Sequence, residues 1–193
     1  MEASSKLDPE RQQAILGATL DCLAETGYDA LRLDAVAARA KASKATLYRH
    51  WPGKAQLVVD AIKCYEQADL AAGSDTGSLR GDLLATLAGM RDLMTGDLGQ
   101  LMAGLLAAVQ KDPELAAAVR SSMIEDKQQV TRRMLDRAVA RGELPPDQDP
   151  AVFPEVAPAM LFMRIFVNGD SVDDDYLIHM TDDILIPLMS RSR

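Results

Sequence analysis

Apolar residues recur along the chain at spacings of three and four, the pattern of helices that each bury one face. The first run opens at Asp8-Pro9, an N-cap followed by a proline whose missing amide is not needed there, and closes at Gly27. Ile15, Thr19, Cys22 and Thr26 line one side of it, with Leu16, Leu20 and Leu23 beside them. Leu33, Val36, Ala37 and Ala40 mark a short second helix, with Asp34 near its positive end. Lys41, Ala42 and Ser43 leave room only for a tight turn, and Ser43 is an N-cap for a third helix that starts at Lys44. Trp51 and Pro52 end that helix, because the residue before a proline is driven out of the α region. Lys54 opens a fourth helix behind Gly53, with Leu57, Val58, Ala61, Ile62 and Tyr65 as its stripe.

The segment from Ala72 to Ser78 has linker composition. It divides the chain into a head over residues 1–53, a connecting helix over 54–72 and a body over 73–193. Ser78 caps a fifth helix carrying Leu79, Leu83, Leu87, Met90 and Met94, and a sixth begins near Asp97 with Leu98, Leu101, Met102, Leu105, Leu106 and Val109. Asp112-Pro113 repeats the first start signal, and a long helix follows through Leu115, Val119, Met123, Val130, Met134 and Ala138 to a stop at Gly142. An eighth helix starts at Asp149-Pro150, with Pro158 predicted to kink it. The ninth begins near Asp173 and carries Leu177, Met180, Ile184 and Leu188, with Pro187 bending its last turn.

Composition agrees with an all-α chain. At 193 residues and 48% hydrophobic content there is ample material for a buried core, and with only 4% aromatics that content is carried by the helix formers Ala, Leu and Met. Cys22 and Cys64 fall on apolar faces, far apart and without metal-ligand spacing, and read as reduced core residues of a cytoplasmic protein. Met1 to Leu7 contain no apolar stretch, and no run approaches the roughly 18 residues of a membrane span, so no membrane partner is expected.

Charge changes the picture. Between Arg32 and Lys54 six cations, Arg32, Arg39, Lys41, Lys44, Arg49 and Lys54, face one acid, Asp34, in a chain whose net charge is −8. Positive charge concentrated there marks the one place where such a chain can hold a polyanion. The second and third helices with their short turn form a helix-turn-helix, in which Ala45 permits close approach and Leu47 anchors the third helix to the core. Lys44, Thr46, Tyr48, Arg49 and His50 carry groups able to bond phosphates or base edges, and such a helix suits the major groove. Leu, Ala and Arg at helical spacing would by themselves also fit an ordinary pair of bundle helices. Trp51 is read as a core plug, since a duplex offers no unstacked base to receive it.

Ala37, Ala40, Ser43, Thr46-Leu47-Tyr48, His50 with the aromatic Trp51, and Lys54 are arranged as in the TetR family of bacterial regulators, which the chain resembles over about residues 10 to 63. Three positions depart from that pattern: Lys41 stands where glycine is usual, Trp51 where phenylalanine is usual, and Arg32 where a Ser or Thr cap is usual. The resemblance implies nine helices, with a three-helix DNA-binding head on a helical-bundle body that binds ligand and dimerises. It places Tyr48 and Lys54 on phosphates and gives Lys44, Thr46 and His50 influence over sequence or register; Ser43 and Arg49 belong to the same DNA-binding set, and Arg32, where the usual cap is lost, offers a phosphate contact. Double-stranded operator DNA and a second copy of the chain are the implied partners.

The resemblance also implies an effector cavity between the middle helices, with Met90, Met94, Met102, Leu105, Met123, Met134, Phe162 and Phe166 as candidate walls for an apolar small molecule. The same methionines equally suit a packed core. Asp92, Glu125 and Asp126 either face solvent or, if buried there, favour a cationic ligand. The last two helices carry Leu161, Ile165, Leu177, Met180, Ile184 and Leu188, more apolar surface than one body covers, and suggest a two-fold four-helix dimer interface. Two recognition helices about one turn of DNA apart, roughly 34 to 36 Å, would then read a palindrome.

Catalysis has no support in the pattern. The chain has two histidines, two distant cysteines and no glycine-rich phosphate loop, so no nucleophile and base can be paired, and no cofactor or metal is expected. The alternative is a small-molecule-binding or scaffolding helical protein without specific DNA binding, which a turn spoiled at Lys41 would produce.

Overall fold

The computed structural model describes residues 7–70 and 75–191, and within helices not the side chains of 66–70, 97–98 and 122–130. Among the described residues nine helical runs follow one another and no strand occurs. They are α1 (Pro9–Ala30), α2 (Leu33–Arg39), α3 (Lys44–His50), α4 (Lys54–Leu70), α5 (Leu79–Thr95), α6 (Asp97–Val109), α7 (113–140), α8 (152–168) and α9 (174–189). None of the described helices is long and apolar enough to cross a membrane. The linker residues 72–74, and Leu98, Met123, Glu125, Asp126 and Val130 as side chains, lie outside the description.

Local chemistry explains most ends. Gly27, at φ +72°, interrupts α1 before its last short turn. The Ser43, Ser78, Asp112 and Asp173 side chains each accept amide bonds from the first turn of the helix they precede, which satisfies donors no helix can satisfy itself. Asp149 accepts from the Ala151 amide, and α8 proper begins later than expected, at Val152. The last three runs each contain a wide π-type turn: Val119–Ile124 in α7, Met163–Asn168 in α8 and Met180–Leu185 in α9. The one in α9 directly precedes Pro187, whose ring excludes a normal turn against the carbonyl of Asp183.

The chain forms two compact units, Met1–Ala68 with Leu101–Met123, and Asp69–Gln100 with Ile124–Arg193. In the first, α1 packs on α2 and α2 on α3, around Ile15, Leu16, Leu23, Val36, Leu47 and Leu57. The expected stripe of α4 is buried except for Tyr65, which is exposed, as is Leu106 on α6.

In the second unit α5 touches α8, α9 and the C-terminal part of α7, and its Leu79, Leu83 and Leu87 are buried among Leu135, Phe153, Ala157 and Leu185. Leu161, Leu177 and Met180, expected at a dimer interface, belong to this core and have no surface left for a partner, because α8 and α9 spend those faces on α5. Ile165, Ile184 and Leu188 stay partly exposed, and Met163, Val167 and Ile178 are the large apolar side chains most open to solvent on these two helices.

One buried charge ties this unit together. Asp82, in the first turn of α5, is fully buried; it accepts from the Thr76 amide at 2.7 Å and hydroxyl at 2.8 Å, and from Arg137 at 3.4 Å and Arg141 at 3.5 Å. Burial opposes its ionisation, but the two Thr76 bonds and the Arg137 guanidinium outweigh that and hold the carboxyl below the usual aspartate range. Stability from a carboxylate lowered in this way is present above the unfolded-state pKa of about 3.9 and is lost as pH falls through the folded value. Urea titrations should therefore show the midpoint falling below about pH 4, less steeply in Asp82→Asn. Asp82→Ala, which takes the acceptor from the Thr76 amide and one carboxylate from Arg137 and Arg141, should cost about 2 kcal/mol in the same measurement at neutral pH.

Candidate nucleic-acid interface

The turn between α2 and α3 is closed by two backbone bonds, from Lys41 N to Ala38 O at 3.2 Å and from Ala42 N to Ala37 O at 2.9 Å. This 5→2 and 6→1 pair is the Schellman closure, whose pivot residue is left-handed. The same pair closes α7, from Gly142 N to Val139 O and Glu143 N to Ala138 O, with Gly142 at φ +75°. In the α2 turn the pivot is Lys41, at φ +51°, the one non-glycine with positive φ among the described residues. Arg11 of α1 donates from Nη2 to the Lys41 carbonyl at 2.9 Å and braces the turn from outside. Arg11 thus has a partner thirty residues away that no local pattern announces.

The turn delivers α3 with its polar side outward. Ser43 Oγ accepts from the Thr46 amide at 3.1 Å and shares a hydrogen bond with the Thr46 hydroxyl at 2.9 Å, so both side chains are engaged in the cap. Leu47 is buried, while Tyr48 remains 56% exposed. Trp51 is buried and donates from Nε1 to Asp60 at 3.0 Å, as a core plug should. His50 stands edge-on to it at a centroid distance of 6.0 Å, with Arg49 Nε 3.3 Å from His50 Nε2.

Not every cation of the stretch is equally open. Lys44 pairs with Asp34 at 2.6 Å and Arg39 with Glu25 at 2.7 Å. Lys54, expected on a phosphate, donates to the Tyr28 carbonyl at 2.9 Å and lies 4.1 Å over the Tyr28 ring. Among the described residues Arg32, Lys41 and Arg49 have no carboxylate partner, and Arg32 is exposed at the start of α2 without capping it. The excess of cations read from the sequence is therefore concentrated at fewer points than six.

Tyr28 carries a further link that sequence reasoning missed. Its hydroxyl donates to Asp112 Oδ2 at 2.9 Å, while Asp112 Oδ1 accepts from the Glu114 and Leu115 amides that begin α7. Burial, reinforced by the Asp112 carboxylate, pushes the Tyr28 phenol up. The Leu115 amide and the Tyr28 hydroxyl hold the Asp112 carboxyl down. Asp112 was legible only as a cap.

The candidate effector walls fall in both units. Met134 and Leu105 are buried side chains of different units, Met90 and Met94 pack half-buried on the second core, Met102 is half-buried, and Phe162 and Phe166 stack on each other at 5.0 Å. A depression of about 300 Å³ opens on α8 and α9, lined by Ala159, Met160, Met163, Arg164, Asn168 and Tyr176, none of them among the expected residues. Arg164 covers the Tyr176 ring there at 4.0 Å. Asp92 is exposed and paired with Arg91, which removes it as a buried anion.

Comparison with known proteins follows the same outline. Residues 15–61 match the family described as bacterial regulatory proteins, tetR family, and residues 74–184 match the tetracyclin repressor-like C-terminal domain. The chain is 35% identical over 179 residues to the DNA-binding transcriptional repressor TetR of Mycobacteroides abscessus, covering 93% of this chain and 94% of that one. It is 32% identical over 150 residues to the HTH-type transcriptional repressor KstR of Mycobacterium tuberculosis, covering 76% and 66%. The crystal structure of the TetR family transcription regulator SCO0332 superposes with a TM-score of 0.75 at 29% identity, over 91% of this chain and 97% of that one.

Two substitutions separate structural from surface roles here. Lys54→Met should lower stability by about 1 kcal/mol, through loss of a charge-assisted bond that solvent partly screens. Lys41→Gly should raise it by about 0.5 kcal/mol, because glycine takes the left-handed pivot without strain but has more freedom to lose on folding. Thermal melts of the two variants beside the native chain check both signs.

Proposed function

The chain belongs to the TetR family and is a DNA-binding transcriptional regulator, and we propose that it acts as a repressor that binds a palindromic operator as a homodimer and leaves when an apolar small molecule occupies its C-terminal part. The observation that carries the DNA reading is α3 itself: capped at Ser43, anchored by Leu47 and Trp51, with Tyr48 turned to solvent. The repressor reading is supported by relatives that bear that name. Its place of work is the cytoplasm, where the DNA is.

In this reading residues 1–53 are the head, α4 is the connection and residues 73–193 serve effector binding and dimerisation. The partly open Ile165, Ile184 and Leu188, joined by Met163, Val167 and Ile178, favour a two-fold contact through α8 and α9. Arg32, Tyr48 and Lys54 are assigned to the backbone of the duplex and Lys44, Thr46 and His50 to sequence or register, with Ser43 and Arg49 completing the set and Lys44 and Lys54 exchanging their present partners for DNA. Release needs only a ligand that prefers an arrangement in which the two α3 helices no longer match one turn of DNA. By linkage, the ligand weakens operator binding only as far as it binds the DNA-free arrangement better.

The test is binding of the purified protein to the intergenic DNA beside its own gene, at stated salt, against the double variant Tyr48→Phe with Lys54→Ala. The expected result is a footprint of two half-sites roughly 34 to 36 Å apart, lost in the variant. A normally folded chain that selects no sequence from the whole genome would sink the operator reading and leave a ligand-binding helical protein.

A further inference from the structure

We propose that Lys41 is a phosphate contact, a cation kept in the α2–α3 turn although the backbone there suits glycine. The inference rests on the DNA-binding reading and adds to it a residue outside the recognition helix. At the other described positions with positive φ, Gly27, Gly77, Gly142 and Gly169, the residue is glycine. A lysine Cβ in that region crowds its own carbonyl.

The turn does not need the lysine side chain. Its shape is set by main-chain bonds of Lys41 and Ala42 and by the Arg11 guanidinium on the Lys41 carbonyl, all of which a glycine would keep. Among the described residues the Lys41 ammonium has no hydrogen-bond or carboxylate partner, and the residue is exposed. Its neighbours in the motif differ: Arg39 is neutralised by Glu25 and Lys44 by Asp34. What Lys41 contributes is a solvated positive charge on a flexible four-carbon stem, two residues before the cap of α3, in a chain of net charge −8. The partner such a charge fits beside a groove-reading helix is a backbone phosphate, which a lysine meets as a point charge without reading sequence.

The experiment measures binding to the intergenic duplex at several salt concentrations for the native chain, Lys41→Gly and Lys41→Arg. Removing one phosphate contact per head should make the log–log salt slope of a dimer shallower by about 1.8 and weaken binding about 30-fold at 0.15 M salt. Lys41→Gly should show both changes while melting no lower than the native chain, its ranking of operator variants should be unchanged, and Lys41→Arg should stay near native. A native slope and affinity in Lys41→Gly would overturn the proposal, and so would weaker binding with an unchanged slope, which would assign the loss to turn geometry. If the native chain itself shows no salt-dependent binding, the DNA reading and this inference fall together.

Discussion

A seven-residue helix in water is not held by its own hydrogen bonds, and α2 and α3 are both seven residues long. Everything the motif presents to a partner depends on how these two pieces are fixed from outside. The fixing is done at the ends and along one side: the Schellman closure and the Arg11 brace at the turn, the Ser43 cap, and the burial of Val36, Ala37, Leu47 and Trp51. Because so few groups do this, each one sets an angle as well as contributing stability. Tyr48 faces solvent because Leu47 beside it does not.

The second unit solves a different problem with a different device. Its helices are long and apolar enough to pack without help, and α5 sits among three of them. Apolar packing alone is forgiving about sliding and rotation. The buried carboxylate of Asp82, met by Thr76 before α5 and by Arg137 and Arg141 at the far end of α7, is demanding in position. It pins the register that the leucines leave open.

The starts and stops of helices were legible because they are decided within four residues. Ser43, Ser78, Asp112-Pro113 and Asp173 are capping chemistry written locally, Pro9 starts α1 without a side-chain bond from Asp8, and Gly142 is the C-terminal counterpart. The strain at Lys41 was readable only through the resemblance, which has glycine at that position. What escaped was everything that required knowing which helices meet. Lys54 looked like a free ammonium until Tyr28, twenty-six residues away, was brought beneath it. Leu161, Leu177 and Met180 looked surplus because a stripe shows that a face is apolar without showing what covers it, while the exposed Met163 and Val167 drew no notice for the same reason. The three π-type turns left no readable mark beyond Pro187.

The chain contains one tryptophan, and Trp51 is buried in the first unit with its indole bonded to Asp60. Its ultraviolet emission is therefore a lamp placed by the fold inside the helix-turn-helix unit alone, whereas the far-ultraviolet dichroism of the helices reports both units together. Coincidence or separation of the two signals during denaturation distinguishes a molecule that melts as one from a molecule whose reading head loosens by itself. No label has to be added to see it.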